Sequence, residues 1–138
     1  MKSIEISREL FNNVFEGCVF NYVKDNVIHY SQPCVIMEGS WVKSETNAND
    51  FFFDCKEWAM NKGYQIISGP SDEPAYRKQN EKAYAHIRYY TEDENGNGEY
   101  EDTYIMANTE IEAVIKASEY ILKEINDKDM ENLNNEST

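Results

Sequence analysis

The chain has no long apolar run, few cysteines and half as many basic as acidic residues, and each shortage excludes something. No stretch approaches the roughly 20 consecutive apolar residues that a membrane-crossing helix needs, and the opening MKSIEISREL lacks the apolar centre of a signal peptide. The expectation is a cytoplasmic protein with no membrane partner. The three cysteines, Cys18, Cys34 and Cys55, are odd in number and lack the close pairing of a zinc site. Reduced, buried thiols are expected rather than disulfides or metal ligands, and no cofactor is implied. With 13 basic against 26 acidic residues the formal charge is -13. That charge repels phosphate backbones and anionic lipid, so direct nucleic-acid binding is not expected, whereas a basic protein would be attracted. The same charge also serves plain solubility.

Catalytic signatures are missing as well. There is no phosphate-binding glycine loop, no HExxH helix, no GxSxG elbow and no CxxC pair. His29 and His86 stand outside any motif, as does a Cys34 and His29 pairing, so a non-enzymatic protein is expected.

What is present is a patterned α+β chain. Residues 102–125, DTYIMANTEIEAVIKASEYILKEI, read as a strand, a Thr109 to Glu112 capping box and a helix. Its apolar stripe runs through Ile111, Val114, Ile115, Ser118, Leu122 and Ile125. Near the N-terminus Ser7 caps a short helix with Leu10, Phe11, Val14 and Phe15 on one face, Ile6 staples onto Phe11, and Gly17 stops it. Residues 18–23 and 27–30 form a hairpin across Lys24, Asp25 and Asn26. Pro33 then breaks the run, residues 34–37 add a third short strand, and residues 43–49 are a polar connection.

A second helix starts at Asn49, with Phe51, Cys55, Trp58 and Ala59 inward and Gly63 as its stop. Phe52 and Phe53 cannot share that face, so either the N-terminal module packs on them, which is the expectation, or they form an exposed aromatic patch that awaits a partner. Residues 64–68 are a strand and residues 69–82 a polar loop, either mobile or functional. Residues 83–90 and 100–107 are strands joined through Asn95-Gly96-Asn97-Gly98. The expected architecture is an antiparallel sheet of three or more strands flanked by helices, with a helix-strand-strand-strand-helix core over residues 49–126. Residues 1–48 form an N-terminal helix and hairpin of the same domain, either extending the sheet or covering its other face. Residues 127–138 are expected to be an acidic, disordered tail.

Two surfaces stand out. Strand alternation puts Tyr84, His86, Arg88 and Tyr90 on one face, with Tyr100, Asp102, Tyr104 and Met106 beside them. Such a face suits a ligand, a partner or a dimer seam. Glu92, Asp93, Glu94, Glu99, Glu101 and Asp102 gather at the hairpin tip, where they could imitate the charges of a nucleic acid or simply be solvated.

The pieces Cys55-Lys56-Glu57-Trp58-Ala59, Gly63-Tyr64 and residues 109–117, TEIEAVIKA, resemble a pattern in small bacteriophage and prophage proteins. There a KCKEWA-like helix and a TEPEA-like helix flank a three-stranded sheet, somewhat as in phage α-β-α sandwich domains. The resemblance spans about the last two thirds of the chain and departs from the pattern at Ile111, where proline is common, and at Tyr120, where tryptophan is common. It implies a phage accessory protein in a bacterial host cell, with no catalytic residues carried over. The resulting expectation is a non-enzymatic inhibitor that binds a basic, nucleic-acid-processing host defence complex, an anti-CRISPR being the concrete version. The alternatives are a protein that sequesters a nucleotide signal on Tyr84, His86, Arg88 and Tyr104, or an enzyme that degrades one through His86 or His29. Antiparallel sheets with an open edge or face also allow a homodimer.

Overall fold

The computed structural model describes residues 4–71 and 81–136. It is α+β, with two separate three-stranded antiparallel sheets and three helices among the described residues. The order is α1 (Arg8–Val14), β1 (Val19–Lys24), β2 (Val27–Pro33), β3 (Trp41–Asn47), α2 (Ala48–Asn61), β4 (Tyr64–Pro70), β5 (Ala83–Glu92), β6 (Gly98–Ala107) and α3 (Glu110–Glu136). Strands β1, β2 and β3 make the first sheet and β4, β5 and β6 the second, each in sequence order.

The local signals act as expected at most boundaries. Ser7 Oγ accepts from the Leu10 N–H at 3.0 Å, and Thr109 Oγ1 from the Glu112 N–H at 3.2 Å. Asp25 and Asn26 both adopt positive φ, which is the two-residue turn that matches the twist of β1 and β2. Gly63 ends the α2 segment at φ 90°, a conformation open to glycine but strained for other residues.

Helices α2 and α3 cover one face of the second sheet. Against it they bury Phe52, Cys55, Trp58, Ala59, Ala113, Val114, Ala117, Ile121 and Leu122, facing Tyr64, Ile66, Ala85 and Ile87. The small Ala85, Ala113 and Ala117 let helix and sheet approach closely. Ser118 is buried in this layer, and its hydroxyl donates to the Val114 carbonyl at 2.8 Å. Leu10, Phe11, Ile28 and Phe51 belong to the same apolar cluster, so residues from the N-terminal module and the rest of the chain share one core.

The N-terminal strands take neither of the two expected places. They form their own sheet, and on its β1 side the outer backbone groups of Phe20 are already taken. Its N–H donates to Asn12 Oδ1 at 3.0 Å and its carbonyl accepts from the Arg8 guanidinium at 2.6 Å. Helix α1 thereby blocks the β1 edge to a further strand.

Four other expectations are corrected. Residues 34–37 lie in the β2–β3 hairpin loop, and the polar run from Trp41 to Asn47 is the third strand. Pro33 is tolerated because β1 has already ended opposite Ser31, so the missing N–H faces no strand. The helix after it is capped by Asn47, two residues early, through Asn47 Oδ1 accepting from the Asp50 N–H at 2.8 Å. Phe52 is buried but Phe53 is 66% exposed, since each helical residue turns about 100° from the last and Phe53 leaves the covered arc. Helix α3 continues to Glu136 where a disordered tail was expected. Its extra turns are held by polar contacts that hydrophobicity does not reveal. Asn126 donates to Glu9 at 2.9 Å, and the Lys128 ammonium meets Tyr64 Oη at 3.1 Å and lies 3.9 Å from the Tyr89 ring centre. Of the expected polar loop, Gly69 and Pro70 close β4 and the Ser71 N–H donates to the Lys82 carbonyl at 2.8 Å, while residues 72–80 lie outside the described residues.

Candidate functional site: the open face of the second sheet

Because β-strand side chains alternate, the face of β4–β6 opposite the helices collects every second residue. The register sets Tyr84 beside Met106, His86 beside Tyr104, Arg88 beside Asp102 and Tyr90 beside Tyr100, with Gln65, Ile67 and Gly69 on the flanking β4. Among the described residues no helix or strand of the N-terminal module covers this face. Tyr104 is 62% exposed and Tyr100 56%.

The side chains are joined to one another. His86 Nε2 donates to Asp102 Oδ1 at 2.6 Å, and Arg88 Nε donates to the same oxygen at 3.1 Å. The Tyr104 ring stacks on His86 with centroids 4.3 Å apart and planes within 7°. The Arg88 guanidinium sits 4.2 Å above Tyr100, whose ring also touches Tyr90 at 5.3 Å. Tyr84 lies across Gly69, where a side-chain β-carbon would stand 3.4 Å from the phenol oxygen. The face is therefore a row of rings tied around one carboxylate.

Electrostatics follow from that tie. The His86 hydrogen bond pulls the Asp102 carboxyl below the ordinary carboxylate range, partial desolvation opposes it, and the Arg88 charge adds to the lowering. A lowered folded value means that the contribution of this link to stability is complete above the ordinary carboxylate pKa and is lost as pH falls through the folded one. A carbon-detected titration of Asp102 is expected to give a midpoint below the usual value of about 3.9, and His86→Ala should move it upward. An ordinary midpoint in the wild-type chain would contradict the tie.

The tie also decides what the face can grip. Arg88 and His86 already serve Asp102, which leaves little free positive charge to hold a phosphate, and the exposed remainder is aromatic. That combination suits a protein surface better than a nucleotide.

Of the acidic residues of the hairpin, Glu92, Asp93, Glu94, Glu99 and Glu101 lie towards the turn end of β5 and β6, while Asp102 is drawn into the ring-lined face. Asp93 is built into the turn, its Oδ1 accepting from the N–H groups of Asn95 and Asn97, both at 2.9 Å. These backbone hydrogen bonds, the one from Asn97 foremost, hold its carboxyl below the usual range. Asp102 stands four residues along β6 from the turn, tied to His86 and Arg88. Glu92 accepts from Tyr90 Oη at 3.1 Å, and Glu94, Glu99 and Glu101 stay exposed at that end.

The remaining chemical candidates are apart. His29 stacks on Tyr22 at 4.4 Å and approaches Glu45 at 3.9 Å, while Cys34 follows β2 in the hairpin loop, about 17 Å along the strand direction at 3.3–3.4 Å per residue. Cys55 is fully buried under α3, and desolvation pushes its thiol up to about 12. Alkylation at neutral pH is expected to spare Cys55 in the native protein and modify it only in denaturant, read by mass spectrometry of the tryptic peptide. Native modification of Cys55 would mean that this layer opens. Among the described residues no group of three or more His, Cys, Asp or Glu side chains could hold a metal ion, and no helix is long and apolar enough to cross a membrane. A groove of about 1020 Å³ runs between Ile6, β1 and α3 near Ile115 and Glu119, and no residue of the ring-lined face lines it.

No family model, curated protein or solved structure matches this chain. The residues of β4 on the face escaped sequence reasoning, because the long polar loop after β4 hides the register that places Ile67 beside His86. Alternation along β6 did point to Tyr100.

Proposed function

We propose that the chain acts by binding and not by chemistry, docking a basic protein surface through the open face of β4–β6. The observation that carries this reading is the uncovered row of Tyr90, Tyr100 and Tyr104, with the half-buried Tyr84 beyond it, set in place by the His86–Asp102–Arg88 tie. Tyrosine and arginine dominate binding hot spots because they contribute large rigid area with a polar tip. A net charge of -13 draws a basic partner towards the surface, and exposed rings then receive its lysine and arginine side chains. The exposed Glu92, Glu94, Glu99 and Glu101 at the end of the sheet add attraction at the rim. In the context that the phage-like motifs suggest, the partner is a nucleic-acid-processing defence complex of the host, and occupying its basic groove inhibits it as an anti-CRISPR protein would.

The test is interferometry of the purified chain against basic nucleic-acid-processing complexes, in parallel with the Tyr100→Ala, Tyr104→Ala double variant. Binding that the double variant loses supports the face. Equal binding by both proteins removes it.

A further inference from the structure

The third strand offers a second interaction surface, independent of the ring-lined face. β3 is the edge of the first sheet, with β2 as its one strand neighbour among the described residues. Hydrogen bonds at both ends fix its phase. The Ala48 N–H donates to the Asn26 carbonyl at 2.9 Å and the Cys34 N–H to the Ser40 carbonyl at 2.8 Å. Antiparallel ladders alternate, so Val42, Ser44 and Thr46 turn their backbone groups to β2, while Trp41, Lys43, Glu45 and Asn47 turn theirs outward. The edge is seven residues long and has no proline and no bulge. It lacks two of the usual devices against pairing.

We infer that β3 pairs antiparallel with β3 of a second copy of this chain, centred on Ser44, to join two first sheets into one six-stranded sheet. The choice of register follows from three conditions. A two-fold pairing must bond outward-facing residues to outward-facing residues, which restricts its centre to every second arrangement. Only the arrangement centred on Ser44 overlaps the whole of Trp41–Asn47. The same arrangement places Lys43 opposite Glu45 of the second copy, twice by symmetry, whereas the neighbouring permitted registers set Lys43 against Lys43 or Glu45 against Glu45.

The pairing also accounts for apolar surface that the fold leaves in water. The loop before β3 exposes Val35 completely and Ile36 and Met37 largely, and Trp41 is half exposed. With Trp41 opposite Asn47 of the second copy, each loop extends past Asn47 towards the start of the other α2, the helix that leaves Phe53 exposed. Two patches that a monomer would leave open are thus carried towards each other.

A charge-swap set tests the seam, with mass measured by light scattering after size exclusion and by sedimentation over a concentration series. The wild-type chain of 16.1 kDa is expected to reach twice its mass. Lys43→Glu and Glu45→Lys should each weaken the dimer about tenfold, because each places like charges opposite one another at two positions. The double variant Lys43→Glu, Glu45→Lys restores opposite charges and should regain the dimer, which a variant damaged in folding would not do. A wild-type monomer at every concentration overturns the proposal, as does a dimer that both single swaps leave intact. A double variant that stays dissociated overturns the register.

Discussion

Replacing Tyr100 and Tyr104 together by alanine is expected to weaken partner binding roughly a thousandfold while leaving the fold in place. A tyrosine at the centre of an interface contributes about 2 kcal/mol on truncation. The two rings stand four residues apart on β6, about 13 Å along the strand, far enough for the losses to add approximately. Neither ring is in the buried core, so the cost in stability should stay within about 1 kcal/mol. What the free protein loses is the stack on His86 and the cover over Arg88. Affinity comes from interferometry and stability from thermal unfolding, and the two readings must separate. If affinity falls only in step with stability, the face is structural. If neither changes, recognition occurs elsewhere on the molecule.

Phe11→Ala is expected to cost about 3–5 kcal/mol of stability, a large share of the 5–15 kcal/mol or so that holds a typical domain. The ring is fully buried where the N-terminal module meets the rest of the chain. Its centroid lies 4.8 Å from Phe15, 5.6 Å from Phe20, 5.2 Å from Tyr30 and 5.7 Å from Phe51. Those partners come from the end of α1, from β1, from β2 and from α2, so no single element can move to fill the space. Urea unfolding followed by both tryptophan fluorescence and far-ultraviolet circular dichroism should give one coincident transition at a clearly lower midpoint. An unshifted midpoint, or a second half that unfolds separately at the wild-type midpoint, would contradict a shared core.

How much was legible beforehand differs between elements. The helix after Thr109 was readable because its cap and stripe are local, and the structure adds Ala113, Ala117 and Ile121 to the same buried face. The β5–β6 face was readable because alternation has a fixed period and the Asn-Gly turn fixes the pairing. The tail beyond residue 126 was not, since its helix is held by Lys128 over Tyr89 and Tyr64, a contact between residues far apart in sequence. The polar β3 was equally hidden. A strand with one side in solvent needs few apolar residues, and its pairing with Ile28 and Tyr30 gives it order.

The sequence by itself determined the α+β class, the caps at Ser7 and Thr109, the hairpin turns of β1–β2 and β5–β6 and the residue types that β5 and β6 place on the outer sheet face, because capping, turn chemistry and side-chain period are properties of neighbours along the chain. Only the tertiary structure decided that the N-terminal strands form a separate sheet, that Arg8 and Asn12 close the β1 edge and that the ring-lined face stays open. It also decided the electrostatics of that face. In the sequence Arg88 and His86 on one strand and Asp102 on the next are separate polar residues; in the sheet the cation and the imidazole share one carboxylate oxygen. The pairing depends on cross-strand register, which lies between segments and is written in neither of them.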